Sequence, residues 1–535
     1  GGFIGKIIGG TLQVLGDDLS TRIAADDADA KITGVDNVGG FAGRLECNPD
    51  IRSKVKINLP ITSTGSACGG VIGNLSYTTM DVTKFLIGQA ASSPDGGTTM
   101  KIAGHDMVGG VVGCMTEESK IYGADKVDFP TDGGLARVPS KSEFSPIFSC
   151  VVTGSKNVGG LVGYSERSSI RALSSAASVT GNNMVGGIVG GVNNAFNVSA
   201  LEDCAFMGAL NCPDASYVGG IAGYVESLNN LNLVDCINYS TISGADCTGG
   251  ILGYMLRSRQ LSEDDVTYVK WCVNMGSVNG TYHVGGIVGR VHVSSNSDGT
   301  GMPCAFTSVS ITDCMNSAKI YGKGGSEGGL GGIVGFTHYL TGVMRCANHG
   351  EIYGEGQFHG IGGIAGSMGE DPTGTGVTHK FRNVELSESC NTGNIDTATR
   401  SNFVGGILGY QEEGNLSDVE DCHNLGKVLP SQSHDSGGIV GCVDHLTNIY
   451  RCVNQGKVEH GNAAIGTHKS GSLFDHGALY YLDGTGKGWP SAKSVSASHF
   501  TDAGYFDGLD FKSKWMMTSD GPALRNNTWR KSPVK

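Results

Sequence analysis

Residues 158–163 read V-G-G-L-V-G, and this phrase of a glycine pair, two apolar residues and a third glycine recurs along the chain. Thirteen complete or variant copies follow one another at intervals of 27 to 50 residues, counting the G-G-F-I-G at the start of the sequence. A self-similar period of this size is typical of a stacked array, in which each repeat buries its apolar face against its neighbours. The repeat therefore predicts one long solenoid in these 535 residues rather than several ordinary globular domains.

The stretch 311–335 shows what one repeat contains. Residues 311–316 predict a strand that enters a turn, residues 318–322 predict a second short strand with alternating apolar positions, and residues 331–335 predict a third. No helical period is present. We therefore predict an all-β fold, a parallel β-helix or β-solenoid of about a dozen coils with three short strands each.

The glycine pair is expected to act on the backbone in two ways. It can supply a positive φ for a sharp corner, and it lets neighbouring backbones approach closely. Two apolar residues follow each pair, and adjacent residues on a strand face opposite sides. Either both faces of this strand are covered, or the backbone bends between the two residues; the sequence leaves both open.

The cysteines and asparagines follow the same repeat. Six copies of C-x-N occupy one register, and Cys204 and Cys390 lie at similar places; the six begin at Cys236, Cys272, Cys314, Cys346, Cys422 and Cys452. In a stacked array they form a column, and we favour buried free thiols over a disulfide framework. No C-x-x-C pair supports a zinc site. The asparagines suit turns and are able to pair in a ladder along the axis.

The amino-acid composition limits the classes of protein to which this chain can belong. Glycine is abundant (87 residues) and proline is scarce (13). The formal net charge is −13, with acidic and basic residues spread along the chain, which argues against a nucleic-acid-binding protein, since such a protein needs a basic stripe. No apolar run reaches the length of a membrane span, and there is no signal peptide. Because the chain opens inside a repeat, we expect further sequence upstream, where a lipid anchor stays an open alternative. We expect a monomer.

The last part of the chain departs from the repeat. The glycine phrase disappears at about residue 476, and aromatic residues, including Trp489 and Trp515, become frequent. We predict a β-helix over residues 1–475 and a C-terminal capping segment over residues 476–535, which covers the open end with aromatic area. An aromatic carbohydrate platform is the alternative for this segment.

The V-G-G-I-V-G phrases followed by C-x-N-x-G-x-V resemble the GLUG motif, and the resemblance covers nearly the whole chain. That motif occurs in bacterial surface proteins, including immunoglobulin A1 peptidases and adhesin-like proteins of gut Bacteroidetes. The resemblance implies export, a β-helical body and a role at the outer cell surface. It brings no catalytic residues, and the H-E-x-x-H signature of the zinc peptidases is absent.

Motifs that imitate catalysis are explained better by the repeat. The D-S-G-G at residues 435–438 has its glycine pair in register with the other copies, so we predict no catalytic residue there. The acidic group Glu263, Asp264 and Asp265 is a candidate for ligand binding, or for catalysis in a carbohydrate-active enzyme. No cofactor or metal site is predicted, although oxygen ligands in the inserts leave Ca²⁺ open.

Inserts are the more promising places for binding, because extra residues in a solenoid coil become loops on one side. The insert at residues 115–148 carries Tyr122, Phe129, Arg137 and Phe144, a mixture suited to stacking on sugars or docking a protein. It is equally suited to folding back as a cover.

These features predict an exported bacterial cell-surface β-helix that acts as an adhesin-like scaffold, binds a glycan or a host surface protein and is not an enzyme. Two alternatives remain. One is a β-helical polysaccharide lyase or glycoside hydrolase, which needs carboxylates that converge in a groove. The other is a passive spacer for an upstream domain.

Overall fold

The structure is a computed structural model that describes most of the chain. The described residues are 2–10, 12–15, 21–23, 30–87, 100–125, 138–144, 149–194, 199–227, 230–257, 266–294, 308–325, 328–338, 341–369, 383–398, 403–412, 416–431, 435–444, 447–469 and 474–525. Within these ranges there is no α-helix, and three short 3₁₀ helices occur at Val82–Lys84, Lys141–Glu143 and Ala503–Tyr505.

The chain forms two compact units. Unit 1 comprises Gly1–Asp128, Pro139–Ala245 and Ile251–Met255, and unit 2 comprises Phe129–Val138, Asp246–Gly250 and Leu256–Lys535. In each unit, successive copies of the repeat pair as parallel strands in direct register. The predicted parallel β-helix is therefore confirmed in each unit.

Unit 1 contains five ladders of parallel strands, apart from short ladders at its start, and we name them in the order in which a coil visits them. Ladder 1 is Thr79–Asp81, Lys120–Tyr122, Ser169–Arg171, Ser199–Glu202 and Leu231–Val234. Ladder 2 is Ser174–Ser175, Ala205–Phe206 and Ile237–Asn238. Ladder 3 is Ile32–Gly34, Ile61–Ser63, Met100–Ala103, Cys150–Thr153, Ser178–Thr180, Ala209–Asn211 and Ile242–Ser243. Ladder 4 is Val38–Gly39, Ser66–Gly69, Asp106–Gly109, Lys156–Gly159, Asn183–Gly186 and Ser216–Gly219. Ladder 5 is Ile4–Ile8, Ala42–Glu46, Ile72–Ser76, Val112–Thr116, Val162–Glu166, Val189–Asn194 and Ala222–Ser227.

A few strands of unit 1 stand beside these ladders. They are Gln13–Val14 with Asp50–Ile51, and Thr21–Ile23 with Val55–Ile57 and Phe85–Ile87. The strand Leu252–Arg257 has its first four residues in unit 1.

Unit 2 repeats the same order of ladders. Ladder 1 is Thr267–Lys270, Val309–Thr312, Thr341–Met344, Asn383–Ser387, Leu416–Glu420, Thr447–Tyr450 and Phe474–Gly477. Ladder 2 is Val273–Asn274, Met315–Asn316, Ala347–Asn348, Cys390–Asn391, His423–Asn424, Val453–Asn454, Tyr480–Leu482 and Lys493–Val495. Ladder 3 is Val278–Gly280, Ile320–Gly322, Ile352–Gly354, Ile395–Thr397 and Val428–Pro430. Ladder 4 is Thr248–Gly249, Val284–Gly285, Gly329–Gly331, Gly360–Gly362, Phe403–Gly405 and Ser436–Gly437. Ladder 5 is Val288–Val293, Val334–Thr337, Ala365–Met368, Leu408–Gln411, Val440–Val443 and Ile465–His468.

A coil thus carries five strand segments where the sequence predicts three, because two of the predicted strands are broken by corners. The residue before each column cysteine adopts the left-handed conformation, as Asp313 does with φ of 54°, and separates ladder 1 from ladder 2. Left-handed backbone is unfavourable for a non-glycine residue, but here the stacked coils impose it at the same place each time. The second break is the bend that follows the first glycine of the phrase, between ladders 4 and 5.

The glycine pair provides close approach and not a positive φ. Among the described residues, positive-φ glycines occur only outside the glycine pairs of the repeat. An added Cβ on Gly363, the second glycine of its pair, would lie 2.0 Å from the carbonyl oxygen of Gly406 in the next coil and 2.4 Å from Asn391 Cγ. The predicted positive φ is therefore wrong at the described pairs, although the backbone does bend after the first glycine, and the predicted close approach is right.

The predicted column of thiols is present. In unit 2 the strand register places Cys272, Cys314, Cys346, Cys422 and Cys452 above one another. Ser389 fills the position between Cys346 and Cys422, and Cys390 lies one residue further along its coil. The fifteen described cysteines are all buried thiols. Buried thiols act as small apolar side chains, which is the role that the repeat predicts.

Beside the thiols runs a ladder of buried asparagines, which the sequence also anticipates. Each side-chain amide donates to the next side-chain oxygen along the axis at 2.8 to 2.9 Å, in the order Asn274, Asn316, Asn348, Asn391, Asn424 and Asn454. Each amide also donates to a backbone carbonyl two residues on, at 2.8 to 2.9 Å. All six asparagines are fully buried. The two bonds satisfy both side-chain amide hydrogens of every asparagine except the last, Asn454. Because its polar groups are paired, the ladder is a stable part of the interior.

In unit 2 the C-terminal segment packs against the corner between ladders 1 and 2. Trp515 is fully buried, and its Nε1 donates to Asp421 at 3.0 Å. Asp421 also accepts from Arg451 at 3.0 Å and from Lys514 at 2.9 Å. The antiparallel hairpin of Trp515–Thr518 with Gly521–Leu524 holds the tryptophan there. The division of the chain at residue 475 stays a prediction.

Candidate functional site

The residue directly after the third glycine of the phrase lies on an outward face of ladder 5. In unit 1 the strand register aligns Tyr164, Gly191 and Tyr224 at this position in three successive coils. Alternation along the strand places the neighbouring Val225 in the interior, where it is fully buried, while Tyr224 and Glu226 stay half-buried. In unit 1 the side chains of Tyr164 and Tyr224 are partly exposed at this position, whereas in unit 2 those of Phe336 and Tyr410 are buried.

Three tyrosine rings meet at this position and form what we call the tyrosine cluster: Tyr217, Tyr224 and Tyr254. The rings of Tyr224 and Tyr254 stack with centroids 5.7 Å apart and planes 11° from parallel. Tyr217 comes from the ladder 4 strand of the same coil as Tyr224, and its ring lies 4.9 Å from that of Tyr254 and 5.7 Å from that of Tyr224. All three are half-buried, so the cluster presents aromatic surface to solvent.

Polar groups flank the tyrosine cluster. Glu226 accepts a hydrogen bond from the Tyr224 hydroxyl at 3.5 Å and one from Asn193 Nδ2 at 3.4 Å. The Oδ1 atoms of Asn157 and Asn193 are buried and have no hydrogen-bond partner within the described ranges. Asn157 is 4% exposed and its Oδ1 points to Gly191, where an added Cβ would lie 2.4 Å from it. Unpaired buried acceptors are costly, so they mark a place where a ligand or water donor is favoured.

The tyrosine hydroxyls stay protonated at neutral pH. Burial, and then the nearby Glu166 carboxylate, raise the pKa of Tyr164 to about 12. Burial, and then the Glu226 carboxylate, raise the pKa of Tyr224 well above its ordinary value. The cluster therefore offers neutral aromatic faces and hydroxyl donors beside a carboxylate acceptor. Aromatic faces with a few fixed polar groups are the usual composition of a small-ligand site.

Unit 2 has a related aromatic group, but its side chains pair with one another and leave little surface exposed. The rings of Phe403 and Tyr410 stack with centroids 4.7 Å apart, and Lys469 Nζ lies 4.9 Å from the centroid of Tyr410. The Tyr410 hydroxyl donates to Asp444 and accepts from Lys469 at 2.7 Å. Tyr410 is only 6% exposed, so this group packs and pairs internally and has little surface for a ligand.

Two of the binding residues predicted from the insert lie in the described part of the chain. Tyr122 ends the strand Lys120–Tyr122 and is 43% exposed. Phe144 is 6% exposed and packs on Tyr239, with ring centroids 5.9 Å apart. The structure gives no ring contact between Tyr122 and Phe144 within the described residues. The other predicted residues lie outside the described residues: Phe129, Arg137, Glu263, Asp264 and Asp265.

The tyrosine cluster was not predicted, although the sequence carries a signal for part of it. The residue after the third glycine is tyrosine in four copies, at Tyr164, Tyr224, Tyr254 and Tyr410. That repetition indicates a stacked column once the coils are known to be in register. Tyr217 has no such signal, because it joins the cluster only through the fold.

Among the described residues, no helix has the length and apolar character that crossing a membrane requires.

Comparison with known proteins gives two matches. The chain is 28% identical over 384 residues to halomucin of Haloquadratum walsbyi, a match that covers 67% of this chain and 4% of halomucin. It also aligns with a Bacteroides ovatus protein, assigned as an immunoglobulin A1 protease of unconfirmed activity, at a TM-score of 0.30 and 15% identity; this alignment covers 74% of this chain and 98% of that one. No family model matches the chain.

Proposed function

We propose that this chain is part of an exported cell-surface protein, that its β-helix is a scaffold for binding and display, and that the tyrosine cluster binds a carbohydrate. The observation that carries the proposal is the tyrosine cluster itself, a half-buried group of rings with a carboxylate and two unpaired amide oxygens at its edge. The similarity to halomucin, whose name denotes a mucin, and the net charge of −13 agree with an exposed, solvated surface.

Carbohydrate is the ligand class that suits this chemistry best. A sugar ring has an apolar face that can pack on an aromatic ring, and hydroxyl groups that both donate and accept hydrogen bonds. The cluster supplies the aromatic faces, and Glu226 and the Oδ1 atoms of Asn157 and Asn193 are acceptors for hydroxyl donors. The net charge of −13 argues against a nucleic acid as the partner, because the acidic chain would repel its phosphates.

The test is a glycan array probed with the purified chain, followed by titration calorimetry on the glycans that bind. We expect Tyr224→Ala to weaken binding about tenfold or more, which corresponds to about 1.4 kcal/mol and is the scale of one aromatic contact. Tyr224→Phe keeps the ring and should retain most of the affinity. Tyr268→Ala is the matched control, since Tyr268 is 38% exposed on a ladder 1 strand of unit 2.

The outcomes separate the alternatives. Unchanged affinity in Tyr224→Ala, or no glycan bound at all, would refute the carbohydrate site and favour a protein ligand or a passive spacer. The same glycans are incubated with the chain and assayed for new reducing or unsaturated ends. Release of such ends would show a carbohydrate-active enzyme instead of a binding scaffold.

A further inference from the structure

Unit 2 contains a second group of chemically active side chains, Asp246, Cys247 and His283, at its first two ladder 4 strands. Thr248 pairs with Val284, so Cys247 and His283 precede the glycine pair in adjacent coils of the same register. Cys247 is a corner residue with φ of 50°, and it is fully buried. The stacking of two coils brings together residues that lie 37 positions apart in the sequence.

The three donor atoms form a small triangle. Cys247 Sγ lies 3.3 Å from Asp246 Oδ1 and 3.9 Å from His283 Nδ1, and His283 Nδ1 lies 2.9 Å from Asp246 Oδ1. Tetrahedral zinc with bonds of about 2.3 Å to sulfur and about 2.0 Å to nitrogen and oxygen has ligand atoms roughly 3.3 to 3.6 Å apart. Each observed separation is therefore within about half an ångström of the edge of such a tetrahedron.

A nucleophilic triad does not fit the same geometry. A catalytic triad places the nucleophile on one imidazole nitrogen and the carboxylate on the other, so that a proton passes through the ring. Here the thiol and the carboxylate both face Nδ1 of His283. Burial, and then the Asp246 carboxylate, raise the pKa of the Cys247 thiol, which leaves it unactivated as a nucleophile.

We propose that Asp246, Cys247 and His283 bind one zinc-like divalent ion, with the fourth ligand position left to water or to another ligand. Thiolate and imidazole select zinc over Ca²⁺ and Mg²⁺, which prefer oxygen ligands only. Binding releases the Cys247 thiol proton to solvent, and the proton that His283 Nδ1 donates to Asp246 moves to Nε2, so that Nδ1 can bind the ion. The thiolate and the carboxylate together balance the two charges of the ion.

The ion can reach the site from solvent. The side chains of Asp246 and His283 are 34% and 12% exposed, which leaves a route from solvent to the buried sulfur.

The experiment titrates the metal-free, tag-free full chain with Co²⁺, followed by competition with Zn²⁺. We expect one equivalent of Co²⁺ to bind with a thiolate-to-metal charge-transfer absorption, and Zn²⁺ to displace it. Cys247→Ser should abolish that absorption, and His283→Gln and Asp246→Asn should weaken Co²⁺ binding about a hundredfold or more. Cys442→Ser is the matched control, because Cys442 is also a buried thiol close to a carboxylate in unit 2, and it should leave the absorption unchanged.

Absence of charge-transfer absorption in the wild-type chain would overturn the proposal without any variant. An equal absorption in Cys247→Ser, in a protein whose circular dichroism matches the wild type, would also overturn it. The result does not depend on glycan binding, so this site and the proposed function succeed or fail separately.

Discussion

Replacing Asn391 with alanine removes one rung from the middle of the asparagine ladder in unit 2. Its Nδ2 donates to Asn424 Oδ1 at 2.9 Å and to the Gly393 carbonyl at 2.9 Å. Its Oδ1 accepts from Asn348 Nδ2 at 2.8 Å and from the Gly393 backbone N–H at 3.2 Å. The variant therefore loses four hydrogen bonds at a fully buried site, two within its own coil and two to the coils on either side.

The free-energy cost follows from the groups left without partners. An unsatisfied buried donor or acceptor costs about 1 to 3 kcal/mol, and a water molecule admitted to the space left by the side chain recovers part of that. We expect Asn391→Ala to lower the free energy of unfolding by about 3 to 5 kcal/mol.

Asn454→Ala is the matched control, because Asn454 ends the ladder. The next coil has Tyr481 at this position, so Asn454 makes one bond to a neighbouring coil, from Asn424 at 2.8 Å. Within its own coil it keeps the same two bonds as Asn391, through Gly456. Both asparagines also face a glycine of the repeat, so the space left behind is similar. Asn454→Ala should therefore lower the free energy of unfolding by about 1 to 2 kcal/mol less than Asn391→Ala does. This difference is the cost of the one inter-coil bond that Asn454 lacks.

The assay is equilibrium unfolding in urea followed by circular dichroism, with slopes compared to confirm that the same amount of structure unfolds. Hydrogen exchange of the backbone amides near Gly393 supplies a local measurement, since coils of a solenoid are able to open separately. Equal costs for Asn391→Ala and Asn454→Ala, or a cost below about 1 kcal/mol for both, would refute the claim that the ladder joins the coils energetically.

Three further predictions concern glycine packing and pH. Gly363→Ala should lower the free energy of unfolding, measured by thermal unfolding, by more than about 3 kcal/mol, because backbone and Asn391 atoms occupy the space that its Cβ needs. Gly5→Ala is the control, since a Cβ there would have no atom within 4 Å, and it should change the free energy of unfolding by less than about 0.5 kcal/mol. Burial lowers the pKa of His423 from 6.5 to about 4, so the unfolded chain takes up a proton that the folded chain does not, and stability should fall by about 3 kcal/mol between pH 6.5 and pH 4. His423→Val should remove that part of the pH dependence of urea unfolding; an unchanged profile would contradict a neutral buried imidazole. Burial raises the pKa of Asp421, but hydrogen bonds outweigh burial and leave it below 3.8, so its stabilisation is present above pH 3.8 and lost as the pH falls through the lower folded value. The fluorescence of Trp515 should therefore stay constant from pH 7 to pH 4 and change below that range, and Asp421→Asn should alter it throughout; a wild-type change already at pH 5 would count against this assignment.

Periodicity was enough to predict the fold because a solenoid repeats its local interactions. Each copy of the glycine phrase and each C-x-N triplet meets the same residues of the next copy, so sequence position translates directly into spatial neighbours. This is why the thiol column and the asparagine ladder were both visible in the sequence. The offset of Cys390, with Ser389 in its place, shows the limit, since one residue of register is decided by how the strands pair.

The order of the coils, the thiol column and the asparagine ladder all follow from the sequence, because they depend only on the repeat period and the residue type at each position. Only the tertiary structure decided what the glycine pair is for, since close approach involves atoms of the next coil and leaves no trace in local composition. The same holds for the tyrosine cluster and for Asp246, Cys247 and His283. Their members come from different strands or different coils, and only the register between those strands sets the distances between their side chains.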